Sequence, residues 1–536
     1  MTEQEQMSAD QDILLERFPS TGESGGPPGD QTNPAIRLYG RRFYKDQTLV
    51  EYLAEFLLVF VSPKGGERNG AYSLGLETSN DPPCYWPDDR IALKLFAFFP
   101  SSKLETRHPV HQKNYRQALE DIKASISGSN EEKDEAVRLL QSLFAGFVGV
   151  AKNRTWVTHT FLPASPVLLA REVDWLHSKA VRDADLRDWD DAEKYFATDR
   201  HNFMARGGEL LFLQLAHLFS REKHAAVDTM LLKARYKHLA RTKLVDLREG
   251  IETGLQSILK DAVSSISELA HFIEEALSSY RLYDQGKRAS LGWIPAASVP
   301  EAFLFASELN NICRSTLGSL EKIDLLQVLS CMQVLRSLCF QAKRIDDSRK
   351  HTDEFVGGYS WIVADASARS GCGVRKLAQS SFEHIEELLY RVLRKVAKSS
   401  GGSMPSFTEA DKHGFQIFRK LAKELGLVIP RTGRGQRFVL PPQLLRFLVA
   451  ALVEPGERVR LTEFYARVFA HYGIALGDQQ LLVALGWSGS ESGTRDYAVA
   501  ADTAWVEEAL QQGGFLVELS DAVSIVHNPG NNGQQA

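Results

Sequence analysis

The sequence predicts a mainly α-helical protein, in which a helical body with a few N-terminal strands is followed by a C-terminal module of helices and short strands. The first observation is that apolar residues recur at three- and four-residue intervals through most of the segment 126–398, which is the period of an amphipathic helix. The second is that a helix, a glycine stop and two apolar strands around a tight turn occur twice after residue 406. At 536 residues, and about 100–200 residues per domain, the chain has room for several domains.

The composition is that of a soluble globular protein. Hydrophobic residues make up 43% and charged residues 24% of the chain, which are ordinary values. The net charge of -5 argues against a uniformly basic protein that coats nucleic acid, so any DNA-binding surface must be local. The five cysteines are scattered and never spaced as CxxC, which is typical of free thiols in a reducing cytosol. Because the N-terminus is acidic and no apolar run approaches ~20 residues, we expect a cytoplasmic protein without a membrane partner.

The first elements in the chain are a tail and an N-terminal α+β region. Residues 1–34 are rich in Glu, Gln, Ser, Gly and Pro, so we expect a disordered tail. In the region 35–125, the spacing of apolar residues over 49–60 predicts an amphipathic helix. The segments 71–76 and 91–99 have the pattern of extended chain, which predicts a few strands.

Residues 126–398 are predicted to form the helical body. Ser129 or Asn130 is placed to cap its first helix, with two glutamates in the first turn. The clearest amphipathic stretch is 247–282, where the apolar residues form one stripe with polar residues on both sides. Because the spacing of the stripe is irregular, it favours packing inside a helical bundle over an intermolecular coiled coil.

A linker and the C-terminal module follow the helical body. The linker, 399–406, is rich in Ser and Gly, and a polar tail, 529–536, ends the chain. The module, 407–528, holds either one unit or two in tandem, since the helix-and-hairpin pattern occurs twice.

Each copy of the pattern consists of a helix, a glycine and two strands. In the first copy, the helix and the two strands are predicted at 411–426, 427–430 and 437–440. In the second copy, they are predicted at 503–512, 515–519 and 522–526. Two further helices are predicted between the copies, at 441–453 and 461–472, and Thr462 is placed to cap the latter.

A helix that leads into a β-hairpin is how a winged-helix domain closes, and on this pattern residues 405–528 resemble the winged-helix superfamily. The resemblance implies a module that contacts either DNA or protein, since a fold alone does not fix a function. From Arg391 to Arg446 there are twelve basic residues against three acidic ones, an excess suited to neutralising phosphates.

The residues expected to bind DNA are basic and lie on the helix and hairpin of the first copy: Arg419, Lys420, Lys423, Arg431, Arg434 and Arg437. Gly433 and Gly435 allow the hairpin tip to take positive φ and to approach a duplex closely. The second hairpin instead carries Glu518 and Asp521, which favours docking to protein or a purely structural role.

Motifs for catalysis are scarce. No GxxxxGK[ST] phosphate loop, HExxH zinc motif or GxSxG nucleophile elbow occurs. His108 and His111 form a close pair, but no cysteine or further histidine near them in the sequence completes a ligand set. Asp88 and Asp89 with Glu105 match a metal-dependent nuclease site poorly. We therefore expect no catalytic residue, no metal site and no cofactor.

A candidate anion site precedes a strongly apolar helix that is predicted to start near residue 210. Four polar or basic residues lead into this helix start, where free N–H groups attract anions: Arg200, His201, Asn202 and Arg206. The alternative is that these residues cap and pair within the fold, with Gly207 and Gly208 in a tight turn.

An enzymatic alternative rests on two arginine–histidine spacings. Arg171 with His177, and Arg344 with His351, are spaced in a way that resembles the helical HEPN ribonucleases. The resemblance implies acid–base chemistry on a ribose 2′-OH and its phosphate, with His177 or His351 as the reacting group.

The favoured hypothesis is a non-enzymatic scaffold or DNA-binding accessory subunit. A large helical body joined by a linker to a DNA-binding module is similar in layout to accessory subunits of bacterial restriction and anti-phage defence complexes. That layout implies DNA and other proteins as partners, with an ATPase or a nuclease as the expected kind of protein. The alternatives are the helical ribonuclease and a protein–protein adaptor without nucleic-acid contact.

Overall fold

A computed structural model of the chain describes residues 13–20, 33–40, 49–64, 71–76, 84–85, 109–145, 174–175, 187, 191, 196–197, 207–276, 289–346, 354–369, 372–397, 407–487, 503–518 and 523–529. The protein is mainly α-helical with few short strands, as predicted. The predicted linker 399–406 and most of the predicted tails 1–34 and 529–536 lie outside the described residues.

The described helices are α1 (Pro34–Tyr39), α2 (Leu49–Val61), α3 (Pro109–Ala124), α4 (Asn130–Ala145), α5 (Gly208–Leu218), α6 (Ala225–Leu231), α7 (Leu244–Ala276), α8 (Val299–Arg314), α9 (Ser319–Asp346), α10 (Gly373–Lys395), α11 (Phe407–His413), α12 (Phe415–Glu424), α13 (Pro442–Leu452), α14 (Leu461–Tyr472), α15 (Asp478–Trp487) and α16 (Ala504–Gln512). The described strands are β1 (Arg17–Phe18), β2 (Cys84–Tyr85), β3 (Asp174–Trp175), β4 (Phe196–Ala197), β5 (Ala289–Ser290), β6 (Ile294–Pro295), β7 (Trp361–Ile362), β8 (Val428–Ile429), β9 (Arg437–Phe438), β10 (Arg458–Arg460), β11 (Ile474–Ala475), β12 (Leu516–Glu518) and β13 (Ser524–His527).

The chain divides into two compact units that are not continuous in sequence. Unit 1 consists of Met1–Lys45, Leu210–Gly254 and Gly292–Ala536. Unit 2 consists of Asp46–Glu209 and Leu255–Leu291. The residues of the predicted module therefore share unit 1 with the last hundred or so residues of the predicted helical body.

Unit 2 begins with α2, which is buried from Glu51 to Val61 because its residues are nearly all apolar. The segment 71–76, expected to be a strand, is a turn followed by irregular chain, whereas the expected strand 91–99 lies outside the described residues. The strands β2 and β5 pair antiparallel, as do β3 and β4.

The start of α4 confirms the capping predicted from the sequence. Ser129 Oγ accepts a hydrogen bond from the backbone N–H of Glu132 at 3.3 Å. The Glu132 carboxylate in turn accepts one from the backbone N–H of Ser129 at 2.8 Å. This reciprocal capping box satisfies two N–H groups that no helical carbonyl can reach.

The core of unit 1 is built on the pair of helices α8 and α9, which pack against each other. Among the described residues, α9 is the one helix long and apolar enough to cross a membrane by length and composition, and 78% of its apolar window is buried inside the protein. It also packs against α10, α12 and α13. The apolar residues of α9 are thus those of a core helix.

Three short strand segments of unit 1 meet beside α10. Strand β7 pairs parallel with β11, so that Trp361 lies opposite Ile474. Further along the same segment, Ala364 forms a parallel bridge with Val439, next to β9. Trp361 is fully buried, and its ring stacks on Phe438 of β9 with the ring centroids 5.7 Å apart. The segment that carries β7 therefore joins the β8–β9 hairpin to the rest of the unit.

The predicted helix 411–426 is two helices, because the chain breaks at Gly414 between α11 and α12. Gly414 has φ -114° and ψ -113°, which is not helical. A Cβ at this position would lie 2.7 Å from Leu393 Cδ1, so the glycine permits a close approach to α10. The helix 461–472 has the predicted bounds, but its N-cap residue is Arg460 and not Thr462.

The long stripe predicted to begin at residue 247 lies on α7. Its first members, Leu247, Ile251, Leu255 and Ile258, are buried. The amphipathic pattern thus located the start of a helix that continues to Ala276.

Candidate nucleic-acid interface

The first predicted hairpin is formed by β8 and β9 and ends in an exposed tip. Val428 lies opposite Phe438 and Ile429 opposite Arg437, in antiparallel register. Gly433 and Gly435 in the connection have φ of 93° and 75°, which residues with a side chain rarely adopt. The predicted turn and both strands are thus present, and the glycines allow the tight bend.

Arg431 and Arg434 are the exposed basic residues of this tip. Neither guanidinium group makes a hydrogen bond or ion pair within the described part of the chain. A paired, partly buried guanidinium would have to break its contacts before it could bind a phosphate. Arg431 and Arg434 can bind an anion without that cost.

Arg437, by contrast, is part of the fold. Its side chain is only 5% exposed, and its Nη2 donates a hydrogen bond to the backbone carbonyl of Ala366 at 2.9 Å. Burial and the nearby charge of Arg375 lower the pKa of the Arg437 guanidinium. Arg437 therefore anchors the hairpin to the loop that precedes α10.

The predicted DNA-binding residues of α12 face acidic or basic neighbours of the protein itself. Arg419 makes a bidentate ion pair with Glu386 of α10, with Nη2 2.8 Å from Oε2. Lys420 lies 3.9 Å from Glu424, one turn along the same helix. Partial burial and the charge of Arg419 lower the pKa of Lys423. The helix thus offers a phosphate less positive charge than its sequence suggests.

The rest of the basic window is balanced in the same way. Its other ion pairs include those of Arg391 with Asp346, Arg394 with Asp411, Lys412 with Glu409 and Arg446 with Glu321. Asp346, Glu386 and Glu321 lie outside the window 391–446, on α9 and α10, so a count of charges along the window could not include them. Within the described part of the window, the exposed guanidinium groups without an ion pair are those of Arg431 and Arg434 at the hairpin tip.

Further exposed basic residues lie near the hairpin, in the loop before α10 and in the first turn of that helix. Arg369 and Lys376 are exposed at and just after the loop that ends at α10, and Arg375 is half-buried between them. The signal that could have pointed to them was the run Ser370-Gly371-Cys372-Gly373-Val374-Arg375-Lys376, where basic residues follow glycines at a helix start.

The second predicted hairpin, β12–β13, belongs to a three-stranded antiparallel sheet. Strand β13 lies in the centre, with β12 on one side and β10 on the other. Glu518 is exposed at the end of β12, and Asp521 lies outside the described residues. The described part of this hairpin thus shows no basic tip comparable with that of β8–β9.

The predicted anion site at the start of α5 is occupied by a carboxylate of the protein. Arg200, His201, Asn202 and Arg206 all lie outside the described residues. Glu55 Oε2 accepts hydrogen bonds from the backbone N–H groups of Gly207 and Gly208, at 2.7 and 2.6 Å. Because these are the N–H groups that would attract an anion, Glu55 already fills that position from within unit 2.

The described residues give no support to a catalytic or metal site. His177 and His351, the candidate ribonuclease histidines, lie outside them, as do His108 and the aspartates Asp88 and Asp89. No group of three His, Cys, Asp or Glu residues within the described ranges could hold a metal ion.

Several ionisable groups form a buried network in unit 1. The Arg336 guanidinium lies 2.6 and 2.8 Å from the two Glu308 carboxylate oxygens, and both side chains are completely buried. His471 Nδ1 lies 2.7 Å from Glu308 Oε1, and the Tyr472 hydroxyl donates to Oε2 at 2.7 Å. Burial opposes the charge of Glu308, yet Arg336 and His471 hold its pKa below the ordinary value. Because no member is exposed to a substrate, we interpret the network as structural.

Comparison of the chain with protein-family models, with curated proteins and with solved structures finds no match. The winged-helix resemblance therefore stays a prediction that rests on the order of elements.

Proposed function

We propose that this chain is a non-enzymatic, mainly helical subunit that binds duplex DNA through the tip of the β8–β9 hairpin and works in a complex with other proteins. The observation that carries the proposal is that Arg431 and Arg434 are exposed and without an ion pair, on a turn that contains Gly433 and Gly435. Free guanidinium groups bind phosphates bidentately, and a narrow turn can follow a duplex backbone or enter a minor groove.

The element order of the module supports the same proposal. A short helix, a break at Gly414 and a second helix lead directly into the hairpin. That order suits a winged-helix module, in which helix and hairpin both face a duplex. Since Arg419 is paired with Glu386, we assign most of the DNA contact to the hairpin and not to α12.

The compartment that we propose is the cytoplasm. Cys313, Cys331 and Cys339 are free thiols, buried in unit 1. Unpaired cysteines are the norm in a reducing compartment. Thiol titration of the protein isolated under non-reducing conditions checks this, since intermolecular or internal disulfides would contradict it.

Point variants of the full-length protein test the DNA contact. We expect Arg431→Ala with Arg434→Ala to weaken binding to a short DNA duplex. The slope of log Kobs against log salt concentration should become shallower by about 2, because each contact between a cation and a phosphate contributes about one unit. Fluorescence anisotropy of a labelled duplex over a range of salt concentrations measures both quantities.

A matched control removes the same charge elsewhere in unit 1. Arg221 and Lys223 are exposed in the turn between α5 and α6, so Arg221→Ala with Lys223→Ala should leave the salt slope unchanged. Equal slopes for the tip variant and the unaltered protein would contradict the proposal. If the unaltered protein did not bind duplex DNA at all, the alternative of a protein–protein adaptor would be favoured.

A further inference from the structure

We propose that the DNA-binding surface is composite, and that Arg369 and Lys376, beside α10, contact the phosphates of the same duplex as the hairpin tip. This inference rests on the proposed function and extends it to a segment separated from the hairpin by more than fifty residues of sequence. The composite surface is defined by the tip residues Arg431 and Arg434, the loop 365–369, and the first two turns of α10.

Backbone contacts hold the hairpin against the loop. The backbone N–H of Ala364 donates a hydrogen bond to the carbonyl of Phe438 at 3.2 Å. One step further, Nη2 of Arg437 donates to the carbonyl of Ala366 at 2.9 Å. The loop thus leaves the strand region directly beside β9, with its position fixed by hydrogen bonds at two successive places.

The tip side of the hairpin also approaches α10 itself. A Cβ at Gly435 would lie 3.9 Å from Oε1 of Gln379, which is ordinary van der Waals distance. Gln379 lies one turn of helix after Arg375 and Lys376, so both basic residues are close to the hairpin connection. Burial and the positive charge of Arg375 lower the pKa of the Arg437 guanidinium, which agrees with this proximity of the two segments.

The charges on this surface are free to bind an anion. Arg369 and Lys376 are exposed, and the side chain of neither makes a hydrogen bond or ion pair with any part of the chain that the structure describes. Arg375 is held in place by its own hydrogen bond from Nη1 to the carbonyl of Ala368, at 2.7 Å.

The nearby acidic side chains are engaged in local hydrogen bonds. The Asp365 carboxylate accepts one from the backbone N–H of Ser367 at 3.0 Å, and that of Glu383 accepts one from Nε2 of Gln379 at 2.9 Å. Within the described residues, no ion pair joins either carboxylate to Arg369 or Lys376. The two carboxylates stand against five basic side chains, those of Arg369, Arg375, Lys376, Arg431 and Arg434. The net charge of the described surface is therefore positive.

The chemistry of this surface predicts contact with the duplex backbone and not with base edges. The helix start of α10 has no side-chain cap, so its N–H groups add a partial positive charge to the two basic residues. Point charges of this kind bind the backbone phosphates of a duplex whatever its base sequence. We therefore expect the contribution of Arg369 and Lys376 to be the same for unrelated duplexes.

The test compares three variants of the full-length protein on two DNA duplexes of unrelated sequence. We expect Arg369→Ala with Lys376→Ala to make the salt slope shallower by about 2 on both duplexes, like the tip variant. The charge-conserving pair Arg369→Lys with Lys376→Arg should retain the slope. Far-UV circular dichroism of each variant separates lost binding from lost folding.

A second measurement uses Cys372, the residue before the first residue of α10 and an exposed thiol. Bound duplex should protect Cys372 from alkylation by a maleimide, as measured by peptide mass spectrometry. One result would overturn the composite surface while the proposed function stands. In that result, the salt slope becomes shallower for the tip variant but not for the variant with Arg369→Ala and Lys376→Ala, and Cys372 stays reactive in the presence of duplex. If the unaltered protein binds neither duplex, both fail.

Discussion

Arg336 and Glu308 illustrate how single residues of this protein are fixed by non-local partners. Two buried ions cost several kcal/mol to remove from water, and their attraction offsets that cost only when the geometry is good and the other hydrogen-bonding groups are satisfied. Here the pair is bidentate, and His471 and Tyr472 satisfy the same carboxylate. Gln333 Oε1 accepts two further hydrogen bonds from the guanidinium group, one from Nε at 2.7 Å.

The first stability prediction concerns this pair. Glu308→Gln and Arg336→Met should each lower the free energy of unfolding by about 3–5 kcal/mol, because each leaves a buried group without its charged partner. The double variant should lower the free energy of unfolding by clearly less than the sum of the two single effects, since neither charge is then left without its partner. Urea unfolding, followed by far-UV circular dichroism, of the unaltered protein, both single variants and the double variant measures this double-mutant cycle. Additive effects would mean that the two side chains are not coupled.

Individual side chains also explain why the predicted interface changed. The basic residues on α12 and Arg437 on β9 were assigned to DNA from their sequence positions alone. Charge counting cannot see that Glu386 lies opposite Arg419, because the two residues are 33 positions apart. The same limit applies to Arg369 and Lys376, because the segment that carries them meets the hairpin through tertiary contacts such as the bridge between Ala364 and Val439.

At the scale of elements, local sequence signals were sufficient for several helices and strands of the C-terminal module. The predicted bounds of α14 agree with the structure to the residue, and the strands of both C-terminal hairpins pair where the sequence pattern predicts them. The break at Gly414 was missed, because glycine costs a helix only about 1 kcal/mol and the pattern on either side is helical. The close approach of Leu393 that requires the glycine is a tertiary contact.

Gly473, which ends α14, supplies a prediction for a single element boundary. Its φ is 70°, and a Cβ there would lie 2.8 Å from the backbone carbonyl oxygen of Tyr359. Gly473→Ala should therefore lower the free energy of unfolding by at least about 1–2 kcal/mol. The destabilisation should extend to β7, because the Gly473 carbonyl accepts a hydrogen bond from the backbone N–H of Trp361 at 2.8 Å.

Gly486, near the end of α15, provides the matched control. Nothing lies within 4 Å of a Cβ built at this position, so Gly486→Ala should change the free energy of unfolding by less than about 1 kcal/mol, in the stabilising direction. Thermal unfolding of the two variants side by side tests the contrast. Equal stabilities for both would show that the left-handed conformation and the close contact at Gly473 carry no cost.

At the scale of the whole molecule, contacts between distant segments decide which parts of the chain fold together. The Ser- and Gly-rich composition of residues 399–406 predicts a linker, yet the segments on both sides of it belong to unit 1. Sequence composition reports where the chain is polar and rich in glycine. It does not report that β7 pairs with β11, or that α9 packs against α12 and α13.

The last prediction follows from this shared core. A chain that ends at residue 398 loses the ring of Phe438, which stacks on the buried Trp361, and the two groups on α14 that bond Glu308. We expect this shortened chain to aggregate or to lose cooperative unfolding, because large apolar side chains of α9 and β7 become exposed. Size-exclusion chromatography and a thermal melt measure the outcome, and a chain that ends at residue 529 serves as the control.

A monomeric, cooperatively folding chain 1–398 would show instead that the C-terminal segment is an independent module. In that case, deleting it would become a valid test of DNA binding, whereas under the shared core only point variants such as those at Arg431 and Arg434 separate binding from folding.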